Sequence, residues 1–360
     1  MKKLIHGGDI YSERNIDMIV DFSANINPFG LPTSVKEAIV NNIDNYMNYP
    51  DPLCRELRQA IAKCEFTQVG NIICGNGAAD IIFKVVLALK PKKTLLIAPT
   101  FSEYEESIRY IDGEIKYYNL KEDKDFNIEQ DILDYITPDL DMMFICNPNN
   151  PTGIPVKSKE MIKIVKRCKE NHVILVVDEC FIDFLKDEEQ YSISKFIENY
   201  KNLIILKAFT KIYAMAGIRL GYMLCSNEGI LDKINGIGQP WSVSTVASKC
   251  GVAALNEVEY VKKSKENIEG NREYLIGKLK ELGFKVFNSK ANFIFFKSKD
   301  RNLDSKLEGQ GILIRSCKNY KNLSDEFFRI AVKSQKDNEY LISCLENIGS
   351  NLDVGNNGCN

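Results

Sequence analysis

The residues of this sequence able to do chemistry are a few polar side chains set singly against apolar strings. Asp178 leaves the all-apolar run 173–177, and a carboxylate there costs free energy unless it meets a cation, a hydrogen-bond donor or a ligand. Lys211 follows a largely apolar run, 203–207, in Phe209-Thr210-Lys211-Ile212-Tyr213, and Arg219 precedes the next, 220–225. An amine so placed can condense with a carbonyl, and a guanidinium can hold an anion. Arg329 stands inside Phe328-Arg329-Ile330-Ala331-Val332, where its planar fork suits a carboxylate. Two loops complete the set. Gly75-Asn76-Gly77-Ala78-Ala79-Asp80 is a small-residue turn that lets backbone N–H groups approach a phosphate. Asn147-Pro148-Asn149-Asn150-Pro151-Thr152-Gly153 follows the run 142–146, at the strand end where open α/β sheets bind ligands. Each segment also has an ordinary reading as a tight turn, a salt-bridged acid or a surface charge; it is their order along one chain that points to a site.

The elements that must position them follow from hydrophobic periodicity. Between residues 71 and 225, short apolar runs at 94–98, 142–146, 173–177, 203–207 and 220–225 alternate with amphipathic stretches such as 78–89 and 157–170. This predicts buried strands of a mostly parallel sheet with helical crossovers. A long periodic segment, 258–282, is closed by Gly283 and predicts a helix with a glycine stop. Strands at 292–296, 312–315 and 328–332 and a helix at 338–348 then predict an α+β lobe, ending in a loose, Asn/Gly-rich tail.

The chain has 360 residues, 27% of them charged, with a formal net charge of -2, so no global basic field advertises nucleic acid or a membrane surface as a partner. Any anion must be met locally. Eleven cysteines without C-x-x-C pairs, several in apolar runs, fit buried thiols in a reducing cytoplasm. The start carries no apolar h-region and no segment reaches the length of a membrane span. No metal site is expected, since Cys359 in the tail has no nearby ligand.

Together the segments offer what pyridoxal phosphate needs: an amine, a carboxylate for the pyridine nitrogen, a donor to the ring hydroxyl and an anion cradle. Over nearly its whole length the chain resembles the fold-type I pyridoxal-phosphate enzymes of the aspartate aminotransferase superfamily. The resemblance implies an α/β large domain with a mostly parallel sheet plus a smaller α+β C-terminal domain. Its divisions would be 1–45, an N-terminal arm and part of the small domain; 46–256, the cofactor-binding domain; 257–350, the small domain; and 351–360, a flexible tail. It implies that Lys211 is the Schiff-base lysine, Asp178 the partner of the pyridine nitrogen, Asn150 the donor to the ring oxygen and Phe101 the ring stacked on the cofactor. Ala78 and Ala79 through their backbone, with Thr210 and Arg219, would hold the cofactor phosphate. Tyr49 resembles a tyrosine that reaches the phosphate bound by a neighbouring subunit, which implies a homodimer with shared sites.

Two groups on this scaffold act on small phosphorylated amino acids: histidinol-phosphate aminotransferases and threonine-phosphate decarboxylases of cobalamin biosynthesis. His6-Gly7-Gly8-Asp9, then Asp21-Phe22-Ser23-Ala24-Asn25-Ile26-Asn27-Pro28, resembles the decarboxylases. So do Ala98-Pro99-Thr100-Phe101-Ser102-Glu103-Tyr104 and Phe181, which stands where the aminotransferases carry a tyrosine. The resemblance then implies decarboxylation of L-threonine O-3-phosphate to (R)-1-amino-2-propanol phosphate, with aminotransfer as the alternative. Arg315 and Arg329 would anchor the substrate's anionic groups, and His6, the backbone of Gly7 and Gly8, and Asn27 would close over its phosphate. Ala208 and Lys333 depart from the pattern, standing where relatives carry a serine and an arginine. A non-catalytic sensing module would need a DNA-binding segment, and no basic patch suggests one.

Overall fold

The computed structural model describes residues 6–12 and 19–356, with side chains through Ile348. Its strands in chain order are β1 Val20–Asp21, β2 Ile72–Gly75, β3 Lys93–Ala98, β4 Glu114–Asn119, β5 Met142–Cys146, β6 Ile174–Asp178, β7 Leu203–Ala208, β8 Gly221–Leu224, β9 Lys285–Val286, β10 Phe293–Lys297, β11 Ile312–Leu313, β12 Arg315–Ser316 and β13 Phe327–Ala331.

The large lobe is built on a seven-stranded sheet of order β2-β8-β7-β6-β5-β3-β4. Strands β3 to β7 run parallel, while β8 is antiparallel to both of its neighbours. Both faces are covered, which is why the central strands read as unbroken apolar runs. Leu95, Ile97, Met143, Ile145, Leu175, Val177 and Leu203 enter the core under one layer of helices. Leu96, Met142, Phe144, Val176, Ile204 and Leu206, alternating with them, pack under Ala78–Leu89 on the other face.

The small lobe carries an antiparallel sheet of order β12-β13-β10-β9, and β1 pairs in parallel with β11. The strand expected at 312–315 is divided: Ile312–Leu313 pairs with β1, then the chain bends at buried Ile314 and Arg315–Ser316 pairs with β13. That bend sets Arg315 directly opposite Arg329. The first 45 residues are shared between lobes, since β1 joins the small lobe while the helix Thr33–Asn41 packs on Thr245–Ala254 of the large one.

Helix Val258–Glu281 ends as its glycine stop predicts. Gly283 has φ +80°, and Phe284 N–H donates to the Leu279 carbonyl at 3.0 Å. The last helix, Gln335–Asn356, is longer than expected and takes in most of the tail read as loose. Leu341, Ile342, Leu345 and Ile348 bury one stripe that carries it onward; the last four residues lie outside the described ones. No helix among the described residues is long and apolar enough to cross a membrane. The small-lobe core reaches Phe181, Ala208 and Ile212, so the two lobes meet beside Lys211.

Candidate active site

At the C-terminal edge of the large sheet, the loops after β2, β3, β5, β6 and β7 converge on the small lobe and enclose a cavity of about 460 Å3. Its wall includes Ala78, Ala79, Phe101, Asn150, Asp178, Thr210, Lys211, Arg219, Arg315 and Arg329, and the N-terminal segment adds His6 and Gly7.

Asp178 ends β6 with its carboxylate in the cavity wall. One oxygen accepts from Tyr104 Oη at 2.6 Å and the other from the Cys180 N–H at 2.9 Å. Burial, reinforced by the Asp178 charge, holds the Tyr104 hydroxyl far above the usual phenol range, so Tyr104 stays a neutral donor. Tyr104 is itself fixed by a stacked contact with Phe144 at 4.9 Å. The carboxylate therefore remains an oriented acceptor, able to take one more proton-bearing partner.

Lys211 sits where β7 gives way to a tight turn. Its side chain keeps some surface in the cavity and is enclosed by protein elsewhere, with Nζ 5.7 Å from the centre of the Phe181 ring. Burial first, and then the positive charges of Arg329 and Arg219, lower its amine from 10.5 to about 8. Asn27 holds the backbone behind it. The Asn27 N–H donates to the Lys211 carbonyl at 3.2 Å, and its side-chain amide donates to the Ile212 carbonyl and to Ser264, each at 2.7 Å.

Next to the lysine is an anion cradle. Helix Ala78–Leu89 begins at Gly77, φ +85°, without a side-chain cap, so its first N–H groups remain available at the positive end of the helix dipole. Asp80 does not compete for them, because its carboxylate accepts from the Asn76 N–H at 2.9 Å and from Lys84 at 2.7 Å. Close approach is built in: a Cβ on Gly221 would lie 2.6 Å from the Ala78 nitrogen, and one on Gly77 would lie 2.6 Å from Arg219 Nη2.

The opposite end of the cavity is cationic. Arg329, 5% exposed, donates through Nη1 to Asn150 Oδ1 and through Nη2 to the Ser23 carbonyl at 2.7 Å, while its Nε has no partner among the described residues. Because Asn150 Oδ1 accepts from Arg329, the Asn150 NH2 is the end with donors to give. Arg315 lies over the Tyr320 ring at 5.3 Å and donates to Asn319 at 2.7 Å. His6 faces the same space, its Nε2 paired with Glu103 Oε1 at 2.8 Å.

Three residues named from the sequence do not line this chain's cavity. Asn27 is 2% exposed with its amide spent on the Lys211 turn, so it is a clamp on the lysine and does not line the cavity. Gly8 donates its N–H to Ser23 Oγ at 2.7 Å. Tyr49 lies outside its own cavity, 81% exposed and stacked on Trp241 at 4.7 Å. Of the departures from the pattern, Ala208 lines the cavity and Lys333 does not. The structure adds residues that sequence reading passed over. Tyr104 orients Asp178, Ser23 receives both Arg329 and Gly8, and Asn25 lines the cavity 3% exposed, its Oδ1 without a partner among the described residues. Tyr104 had a signal in its spacing, three residues after Phe101; Asn25 had none, since Asn27 two positions on has the same chemistry.

The donor set fits pyridoxal phosphate: an amine of lowered proton affinity, a carboxylate locked as acceptor, an amide donor at Asn150 on the same wall, an aromatic wall at Phe101 and an uncapped helix N-terminus. Among the described residues, no group of three or more His, Cys, Asp or Glu side chains is arranged to hold a metal.

Comparison with known proteins agrees with this geometry. The chain is 35% identical to the threonine-phosphate decarboxylase of Salmonella typhimurium, over 95% of this chain and 96% of that protein. Among solved structures, the histidinol-phosphate aminotransferase of Clostridium acetobutylicum superposes with a TM-score of 0.87 at 32% identity, over 92% of this chain and 99% of the other. The L-threonine-O-3-phosphate decarboxylase of Porphyromonas gingivalis shares the fold with a TM-score of 0.81 at 24% identity, covering 92% of this chain and 99% of its own. With residues 17–345 matching the family described as aminotransferase class I and II, the chain belongs to that family of pyridoxal-phosphate enzymes.

Proposed function

We propose that this enzyme decarboxylates L-threonine O-3-phosphate, yielding (R)-1-amino-2-propanol phosphate for cobalamin biosynthesis. The observation that carries the reading is the pairing of Arg315 directly opposite Arg329 between β12 and β13, on the wall of the cavity that also holds His6. Like charges facing one another across an antiparallel pair oppose folding, and a ligand with two anionic groups removes that opposition. A phosphorylated amino acid has a phosphate and a carboxylate to offer. The relationship to the Salmonella decarboxylase supports the choice of substrate. So does Phe181 in the cavity wall, which offers no hydroxyl to the cofactor where the aminotransferases have a tyrosine.

Bound pyridoxal phosphate would act as an electron sink that weakens whichever bond at the substrate Cα stands upright from its ring. Lys211 would anchor it, Asp178 would hold the proton on the pyridine nitrogen, and Asn150, Thr210, Arg219 and the Ala78 and Ala79 amides would fix the rest. The selectivity then lies in orientation, since the arginines decide where the carboxylate sits. Arg329 is already braced by Asn150 and Ser23, so it presents a fixed target. Lys211 Nζ, released from the cofactor by the substrate's own amine, would be placed to give Cα the proton that replaces the departing carbon dioxide.

The same reading makes the working unit a homodimer. Tyr49, 81% exposed and close to exposed Met47 and Leu53 in the chain, and Trp241, 45% exposed and stacked on it, would meet a second copy, with Tyr49 reaching that copy's cofactor phosphate. Free cysteines throughout the described residues support a reducing, cytoplasmic setting.

The test is release of carbon dioxide from L-threonine O-3-phosphate by the cofactor-loaded protein without any keto acid. Catalytic release supports the proposal. No release, with glutamate-dependent formation of histidinol phosphate from imidazole acetol phosphate instead, would refute it in favour of aminotransfer.

A further inference from the structure

The carboxylate of Glu103 lines a cavity otherwise dressed for anions. Sharing the wall with it are His6, Lys211, Arg219, Arg315 and Arg329, and besides Asp178, which the cofactor ring explains, Glu103 is the remaining acid on the wall among the described residues. A carboxylate there repels an incoming phosphate unless a cation stands between them. The side chain it meets is His6, at 2.8 Å through Nε2.

The surroundings of that pair show a segment docked into place. Gly8 donates its N–H to Ser23 Oγ at 2.7 Å and has φ +91°, a conformation that costs glycine little. Gly7 lies so near Ser23 that a Cβ would come within 2.2 Å of its carbonyl oxygen. That carbonyl is the one Arg329 holds at 2.7 Å. The His6 ring rests 6.0 Å from the ring of Phe101, two residues from Glu103 at the start of helix Ser102–Arg109. Backbone docking therefore brings His6 to the cavity mouth, but the imidazole still has rotational freedom, and Glu103 removes it. An ion pair whose partners are 47% and 18% exposed adds little to stability, so orientation is the effect left for it.

Resting on the phosphorylated-substrate reading above, the geometry points to Glu103 as the positioning residue for His6, holding the ring through Nε2 so that its Nδ1 edge is the one presented to the substrate phosphate. Glu103 itself touches neither phosphate nor cofactor.

The holoenzyme is compared with Glu103→Gln, His6→Ala and the double variant, by steady-state decarboxylation of L-threonine O-3-phosphate and by calorimetric binding of O-phosphoethanolamine, which has the amine and phosphate but no carboxylate to lose. Glu103→Gln should raise KM and weaken binding of the probe by about tenfold, with kcat within about twofold and cofactor content unchanged. The double variant should be no worse than His6→Ala alone, since Glu103 acts through His6. Unchanged KM and probe affinity in Glu103→Gln, additive losses in the double variant, or a fall in kcat with KM preserved would each overturn the assignment. A wild-type enzyme that releases no carbon dioxide would refute the functional reading instead, which keeps the two failures apart.

Discussion

In the proposed role of Lys211 as the cofactor's anchor, the state of its amine would govern how the apo-protein takes up pyridoxal phosphate, because only the neutral amine attacks a carbonyl. Enclosure at the lobe junction, with Arg329 and Arg219 nearby, lowers the group from 10.5 to about 8. At pH 7.5 an amine of that strength is neutral in roughly a quarter of molecules, against about one in a thousand for an ordinary lysine, a gain of about two hundredfold. The sign is fixed by the charge type: lowering the value of a cationic acid increases its neutral form below the ordinary midpoint, so capture of pyridoxal phosphate should rise through pH 8 and then level. Capture is measured by trapping with borohydride at timed intervals and locating the modified residue by mass spectrometry. Arg329→Gln removes a neighbouring cation, makes the ammonium less unfavourable and should move the midpoint upward. Since burial outranks Arg329 among the causes, the midpoint should stay below 10. A wild-type midpoint near 10, or one that Arg329→Gln moves downward, would refute the reasoning.

Gly221→Ala should leave a folded protein with much weakened affinity for pyridoxal phosphate, because the new Cβ would press on the Ala78 nitrogen from 2.6 Å; equilibrium dialysis of the cofactor checks it. Asn27→Ala should cost roughly 2–4 kcal/mol of unfolding free energy, read from urea denaturation, by stranding the buried Ile212 carbonyl and Ser264 hydroxyl, while the KM of the folded enzyme stays near that of wild type. Burial raises the Glu179 carboxyl from 4.5 to about 7, so the folded chain keeps a proton that the unfolded chain gives up. That contribution to stability is full below pH 4.5 and lost as pH rises through 7. Glu179→Gln should accordingly show a smaller fall in unfolding temperature between about pH 5 and 8 than wild type, by calorimetry.

The large sheet was legible because both of its faces are buried, which leaves apolar runs with sharp ends; β5, β6 and β7 came within a residue of their expected bounds. Strand β4, Glu114–Asn119, was not, since it lies at the sheet edge and its mostly half-buried mix of charged, polar and tyrosine residues does not form an apolar run. The division at Ile314 was hidden for a different reason: residues 312–315 have strand chemistry throughout, and only pairing with two different partners separates them. Within the site, residues singled out by type against an apolar background, Asp178, Lys211 and Arg329, are brought together by the fold. Asn27 and Asn25 show the limit. They lie two positions apart and are nearly equally buried, yet one amide saturates itself behind the lysine turn while the other lines the cavity with an oxygen that has no partner among the described residues. Sequence chemistry is the same for both; the difference comes from contacts with Ser264 and Ile212, more than 180 residues away.

Arg329 connects these observations. It lies on a small-lobe strand, bonds to Asn150 of the large lobe and to Ser23 of the N-terminal segment, and its charge helps to lower the amine of Lys211. A guanidinium has five N–H donors, and two contacts leave three for an anion, so a substrate carboxylate need not break the braces to bind. In the proposed reaction, a carboxylate bound here would cost little side-chain entropy at this arginine and would sit at a position set jointly by three separate segments of chain. That position would decide which Cα bond stands upright, so the proposed choice of reaction rests as much on Asn150 and Ser23 as on Lys211.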